Sequence, residues 1–196
     1  LPRLAADAAA DLVVMALKGR RKLASLLSRS LAEAAARAAS VPVLAVRSKP
    51  APGWPRRILA PVHWAPYGDR ALVAARDWAQ DLGAELGFLH VFEGFVDDEM
   101  ERHAVVENVA GLFGGTAPSA SWHWAVGLPL EEIARTVQAG GYDLVVVAEH
   151  GRETWAEAVF GTTAERVLRG SAVPVLAVPA SSPTGAATKG RRRARG

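Results

Sequence analysis

The residues best suited to chemistry surround two glycines: Ala148-Glu-His-Gly151-Arg152 and, after Gly151 and nine intervening residues, Gly161-Thr162-Thr163-Ala164-Glu165. Thr162 and Glu165 have the Thr-x-x-Glu spacing of a capping box, in which the hydroxyl caps the start of a helix and the carboxylate closes back on the cap. The first turn of such a helix carries free amides and the positive end of the helix dipole, an arrangement that holds a phosphate. Gly151 and Gly161 would let the backbone approach that anion closely, and Arg152 would clamp it. The same residues also fit ordinary capping with turn glycines. His63 and His150, with Glu149 or Asp69, raise a metal site, although their spacing matches no metal-binding pattern.

Other chemistries are excluded or unsupported. Cysteine is absent, which removes disulfides, thiolate nucleophiles and cysteine-bearing zinc sites and permits a cytoplasmic location. No nucleophile has a recognisable base, so turnover of a bound ligand is expected to be slow or nil. The longest apolar runs, such as Leu12 to Leu17, fall well short of the roughly 18 residues a membrane span needs. The chain starts at Leu1 without the features of a secretory leader, and we expect upstream sequence to be missing. Its formal charge of +3 is set by Lys189, Arg191, Arg192, Arg193 and Arg195, without which the balance is −2. Residues 180–196 therefore read as a disordered basic tail with no specific nucleic-acid role.

An internal repeat organises the elements that must position these groups. Asp11-Leu-Val-Val returns as Asp143-Leu-Val-Val, and Val41-Pro-Val-Leu-Ala-Val returns as Val173-Pro-Val-Leu-Ala-Val, each 132 positions later. Residues 11–46 align on 143–178 without a gap, with 17 identities in 36. So long an offset marks a duplicated domain, because solenoid units repeat every 20 to 50 residues or so. One copy must be cut short. The boundaries expected are an incomplete copy at 1–47, a Pro-rich linker at 48–55 and a complete copy at 56–179.

Within the complete copy, apolar runs at Ile58 to Val62, Leu86 to Phe92, Ser121 to Val126, Asp143 to Ala148 and Val173 to Val178 read as strands. Helices are expected over Asp69 to Leu82 (with Leu72, Ala75, Ala79 and Leu82 inward), Val96 to Phe113, Leu130 to Ala139, and from Thr162. Gly83, Gly114-Gly115 and Gly140-Gly141 stop the first three. This alternation predicts an α/β fold with an open, doubly wound, five-stranded parallel sheet, and a partial second copy at the N-terminus. Residues 1–46 should pack through their fifth strand and last helix against the complete copy. Pro42 and Pro174 centre pairing on Val43–Val46 and Val175–Val178, edges that also suit self-association. Leu12, Val13, Val14, Leu44 and Val46 should stay partly exposed.

The motifs Ile58-Leu-Ala-Pro-Val62, Leu89-His-Val91, Gly127-Leu-Pro-Leu-Glu-Glu-Ile133, Asp143-Leu-Val-Val-Val-Ala-Glu-His-Gly151 and Val173-Pro-Val-Leu-Ala-Val178 resemble, in order, those of the universal stress protein family. The resemblance implies a Rossmann-like domain that is often tandem or dimeric, with one branch binding ATP, with or without magnesium, and one that does not. The binding branch carries Gly-x-x-Gly, nine residues, then Gly with Ser or Thr. Here Gly151, Gly161 and Thr162 match, and Ala148 replaces the first glycine. The implied nucleotide contacts are Pro61, Val62, His63, Ala148, His150, Gly151, Arg152, Gly161, Thr162 and Thr163. His63 stands where that branch has an aspartate at the adenosine; a neutral imidazole offers one donor and one acceptor in place of two acceptor oxygens. Trp64 would stack on a purine or cover the core. In the first copy Arg29 replaces the third glycine, which should obstruct nucleotide. The alternatives are a nucleotide-free dimerisation scaffold and a regulatory domain of a larger protein.

Overall fold

A computed structural model of the chain describes residues 9–16, 40–46, 52–62, 68–92, 98–149 and 163–179. Among these, seven strands and four helices follow in order: β1 (Val13–Ala16), β2 (Val43–Val46), β3 (Arg57–Pro61), α1 (Asp69–Leu82), β4 (Glu85–Phe92), α2 (Glu99–Leu112), β5 (Ser121–Val126), α3 (Pro129–Gly140), β6 (Leu144–Glu149), α4 (Thr163–Gly170) and β7 (Val175–Pro179). They form one sheet with the strand order β1-β2-β7-β6-β3-β4-β5.

The five expected strands are present and mutually parallel. The sheet is nevertheless seven-stranded, because β1 and β2 extend it: β1 runs parallel to β2, and β2 runs antiparallel to β7. Central strands such as β6 are apolar at successive positions because both faces are covered, with Leu144, Val145 and Val146 all fully buried. One face packs Leu59, Leu89, Val145, Val175 and Ala177 against Ile133, Val137, Val167 and Leu168 of α3 and α4. The other packs Ile58, Phe88, Leu144 and Leu176 against Leu72 and Ala75 of α1 and Val109 of α2.

Local chemistry sets the helix limits. Asp98 caps α2 by accepting from the Met100 and Glu101 amides. Pro129 opens α3, where a missing N–H costs nothing, and Gly141 ends it with φ 64°. Gly83 ends α1 with φ 65°. The buried stripe of α1 is Ala71, Leu72, Ala75 and Ala79. Leu82, expected inward, is 52% exposed, because this last helical residue lies beyond the stripe.

The repeat seen in sequence is also a repeat of pairing. β1 on β2 has the register Val13↔Val43 to Ala16↔Val46, and β6 on β7 has Val145↔Val175 to Ala148↔Val178, each pair shifted by the same 132 positions. The Val13 amide donates to Pro42 O at 2.9 Å and the Val145 amide to Pro174 O at 3.1 Å, again equivalent. Between the two pairs, β2 meets β7 as Val43↔Ala177, Leu44↔Leu176 and Ala45↔Val175, so Leu44 and Leu176 mark a local two-fold centre. The fifth-strand pairing thus occurs within the chain. It corrects two expectations. Leu44 is 6% exposed, because β7 covers it, and neither Val43–Val46 nor Val175–Val178 lies at a sheet edge open to another copy.

Candidate functional site

From β3 the chain crosses through α1 to β4 and then β5 on one side, and β6 lies on the opposite side of β3. The direction of winding therefore reverses between β3 and β6. At such a switch point the helices diverge to opposite faces and a crevice opens outside the carboxyl ends of the two strands. Pro61 and Val62 stand at the end of β3, both half-buried, and the Val62 amide donates to Leu89 O at 2.8 Å, tying this end to β4. Ala148, half-buried, and Glu149, 4% exposed, close β6. Carrying the register Ile58↔Leu144 and Leu59↔Val145 forward places Val62 level with Ala148. Chain direction and pairing thus bring three of the expected site residues to one rim.

Thr163, exposed, is the first residue of α4, and Ala164, Val167 and Leu168 of that helix are buried. The helix starts where the Thr-x-x-Glu spacing expects it. His63, Trp64, His150, Gly151, Arg152, Gly161 and Thr162 lie outside the described residues, as does Arg29 of the first copy. No cluster of three or more metal-ligating side chains occurs among the described residues.

Two features of this end of the sheet were not read from sequence, apart from Trp122 and Trp124 sharing one face of their strand. The first is the burial of Glu149, whose neighbours in the sequence gave no hint that a carboxylate would be enclosed. The second is an aromatic layer beneath α2. Phe88, His90 and Phe92 of β4 sit on one face with Trp122 and Trp124 of β5. Trp122 and Trp124 stack at 5.5 Å, the Arg102 guanidinium lies 5.1 Å from the Trp124 ring centroid, and His90 Nε2 is 2.9 Å from Glu101 Oε1. The alternation Phe-x-His-x-Phe was the available signal, since period-two spacing places all three on one face.

The opposite rim is built for structure. The Asp143 carboxylate accepts the Arg56 and Arg57 amides at 3.0 to 3.1 Å, and Asp143 O accepts Trp54 Nε1 at 2.8 Å. Trp54, expected to be linker, therefore anchors the start of β3. Tyr142 hydrogen-bonds His123 Nε2 at 2.6 Å and lies under Arg57. Gly87 admits it: a Cβ there would meet the Tyr142 hydroxyl at 2.0 Å. Burial, reinforced by the Arg57 charge, holds the His123 pKa below the ordinary histidine value, and burial pushes the Tyr142 phenol up. Nearby, an open apolar groove of about 640 Å³ runs between α3 and α4, lined by Leu130, Ile133, Val137, Tyr142, Val167 and Val173.

Strand order and helix placement define an open α/β protein of the doubly wound type. The sequence model of the universal stress protein family matches residues 1–47 and 55–179. The chain belongs to the universal stress protein family. A universal stress protein of Methanocaldococcus jannaschii is 36% identical over 53 residues, which are 27% of this chain and 33% of that protein. A universal stress protein from Archaeoglobus fulgidus is similar in structure with a TM-score of 0.70 and 23% identity, over 91% of this chain and 63% of that one. A universal stress protein solved in complex with cAMP gives a TM-score of 0.54 and 20% identity, over 64% of this chain and 98% of that one. The chain thus spans less than two thirds of the first two relatives. No helix among the described residues is long and apolar enough to cross a membrane.

Proposed function

We propose that this chain is a stress-response regulator that binds an adenine nucleotide, ATP with or without magnesium, at the crevice between β3 and β6, with little or no hydrolysis. The observation that carries this reading is the path of the chain at the switch point. The segment containing Gly151, Gly161 and Thr162 leaves the carboxyl end of β6 beside that of β3 and enters the N-terminus of α4. Amides at that N-terminus would take the phosphates, with Gly151 and Gly161 keeping Cβ atoms away from them. Pro61, Val62 and His63 would line the adenosine, and Ala148, His150, Arg152 and Thr163 the remaining wall. The cAMP complex of a fold relative supports the class of ligand. Residues 1–47 are read as an incomplete copy without a nucleotide, joined by 48–55 to the complete copy at 56–179, and the site of action as the cytoplasm.

A nucleotide-free scaffold is the competing reading, and Ala148 and His63 favour it, because each departs from the binding branch of the family. Isothermal titration with ATP and magnesium separates the two. Saturable heat from the parent chain, lost in Gly161→Arg, is the expected outcome, with His63→Asp tightening binding. Negligible heat from parent and variants alike would leave the scaffold.

A further inference from the structure

The rim that anchors β3 also encloses a proton-sensitive pair. Tyr142, 3% exposed, is seated against two glycines: a Cβ on Gly87 would come within 2.0 Å of its hydroxyl, and one on Gly140 within 2.5 Å of its ring. The phenol is bonded to His123 Nε2 at 2.6 Å and receives a hydrogen bond from the Ser121 side chain. Ser121 and His123 are two residues apart on β5, so both reach it from one face. A phenol that accepts from Ser121 has a single proton to give, and Nε2 accepts it only while the imidazole is neutral.

The charged groups around the pair come from several elements. Arg57 of β3 lies 4.9 Å from the Tyr142 ring centroid, and Glu85 of β4 holds the Arg57 Nε at 2.9 Å. The Asp143 carboxylate is taken up by the Arg56 and Arg57 amides. Helix α3 covers this face with Ile133 and Val137, and its Glu132 and Arg135 are bonded to each other. Burial, and then the Arg57 cation, oppose a proton on His123. Tyr142 is at the same time a wall of the groove between α3 and α4.

We propose that Tyr142, held by His123 and Ser121, is an acid-released latch on the groove between α3 and α4. With His123 neutral, the phenol donates to Nε2 and the ring keeps its seat over Gly87 and Gly140. A proton taken from solvent by Nε2 turns that acceptor into a donor. The phenol must then turn its own proton toward Ser121, and the reversed bonds leave an imidazolium half-buried beside Arg57. Releasing Tyr142 lets the imidazolium reach water, so acid favours the released ring and a groove opened toward β4 and β5. The latch lies at the start of β5 and β6, the opposite end of the strands from the switch-point crevice, and needs no nucleotide.

The test is amide hydrogen exchange, read by NMR on the full chain at pH 7.5 and 5 and corrected for the intrinsic pH dependence of exchange. The reporters are the Tyr142 amide, which donates to Val137 O at 3.1 Å, and the Asp143 amide, which donates to Arg57 O at 3.0 Å. Protection of both should fall about tenfold at the lower pH, while that of the Val62 amide on Leu89 O holds. The loss should share its midpoint with the titration of the His123 Cε1 proton and be absent in His123→Asn, which offers an acceptor oxygen and no imidazolium. Unchanged protection in the parent, a midpoint away from that of His123, or an equal loss at Val62 overturns the proposal, and all three are read on the unaltered chain. An undiminished loss in His123→Asn overturns it as well.

Discussion

At the residue scale, His123 shows how a polar group inside a sheet becomes a constraint on stability. Its Nε2 is bonded to the Tyr142 hydroxyl, and burial together with Arg57 disfavours the imidazolium, so the folded pKa lies below that of the unfolded chain. The unfolded state therefore binds the extra proton more readily. The contribution of a neutral His123 is fully present above the unfolded value of about 6.5 and is lost as pH falls through the lower folded value. Thermal unfolding should show a falling midpoint between pH 7.5 and 5, with a shallower slope in His123→Asn. Parallel slopes in both proteins would show that His123 is not responsible. None of this was visible in sequence, where Ser121 to Val126 declared a strand with Trp122 and Trp124 on one face and nothing of His123. The partner Tyr142 lies 19 residues away and reaches His123 through the space that Gly87 leaves.

At the scale of elements, the repeat permits a comparison under matched chemistry. Val14 and Val146 occupy equivalent strand positions, yet one is 62% exposed and the other fully buried. Val146→Ala should cost about 1 to 2 kcal/mol through lost burial and a residual cavity. Val14→Ala should stay within about 0.5 kcal/mol, as surface changes do. Chemical denaturation of the two variants measures the difference, and equal losses would mean that β1 is covered in solution. Strand and helix order was legible because apolar runs alternate with 3.6-residue periodicity and are punctuated by Gly83 and Gly140-Gly141. Boundaries moved by a residue or two: β6 extends to Glu149, and β7 begins at Val175. The pairing of β2 with β7 within the chain was expected from the repeat, whereas its antiparallel direction and its register required geometry.

At the scale of the whole molecule, the proposed function rests on where the winding reverses. The family resemblance implied nucleotide contacts at Pro61, Val62, Ala148 and Thr163, and the strand order puts β3, which ends at Pro61, beside β6, which carries Ala148. Sequence reading did not foresee that Glu149 would be enclosed at the same rim, or that Trp122, Trp124 and Arg102 would form a layer beneath α2, because these depend on long-range packing. The apolar groove between α3 and α4 offers little to a phosphate, whereas the proposed site at the carboxyl ends of β3 and β6 would offer it the N-terminus of α4. Photo-crosslinking with 8-azido-ATP, followed by mass mapping of the labelled peptides, decides between them. Saturable label within residues 58–63 or 148–163, displaced by excess ATP, is the predicted result. Label confined to residues 130–142 and 167–173, or none that ATP displaces, would contradict nucleotide binding at the switch point.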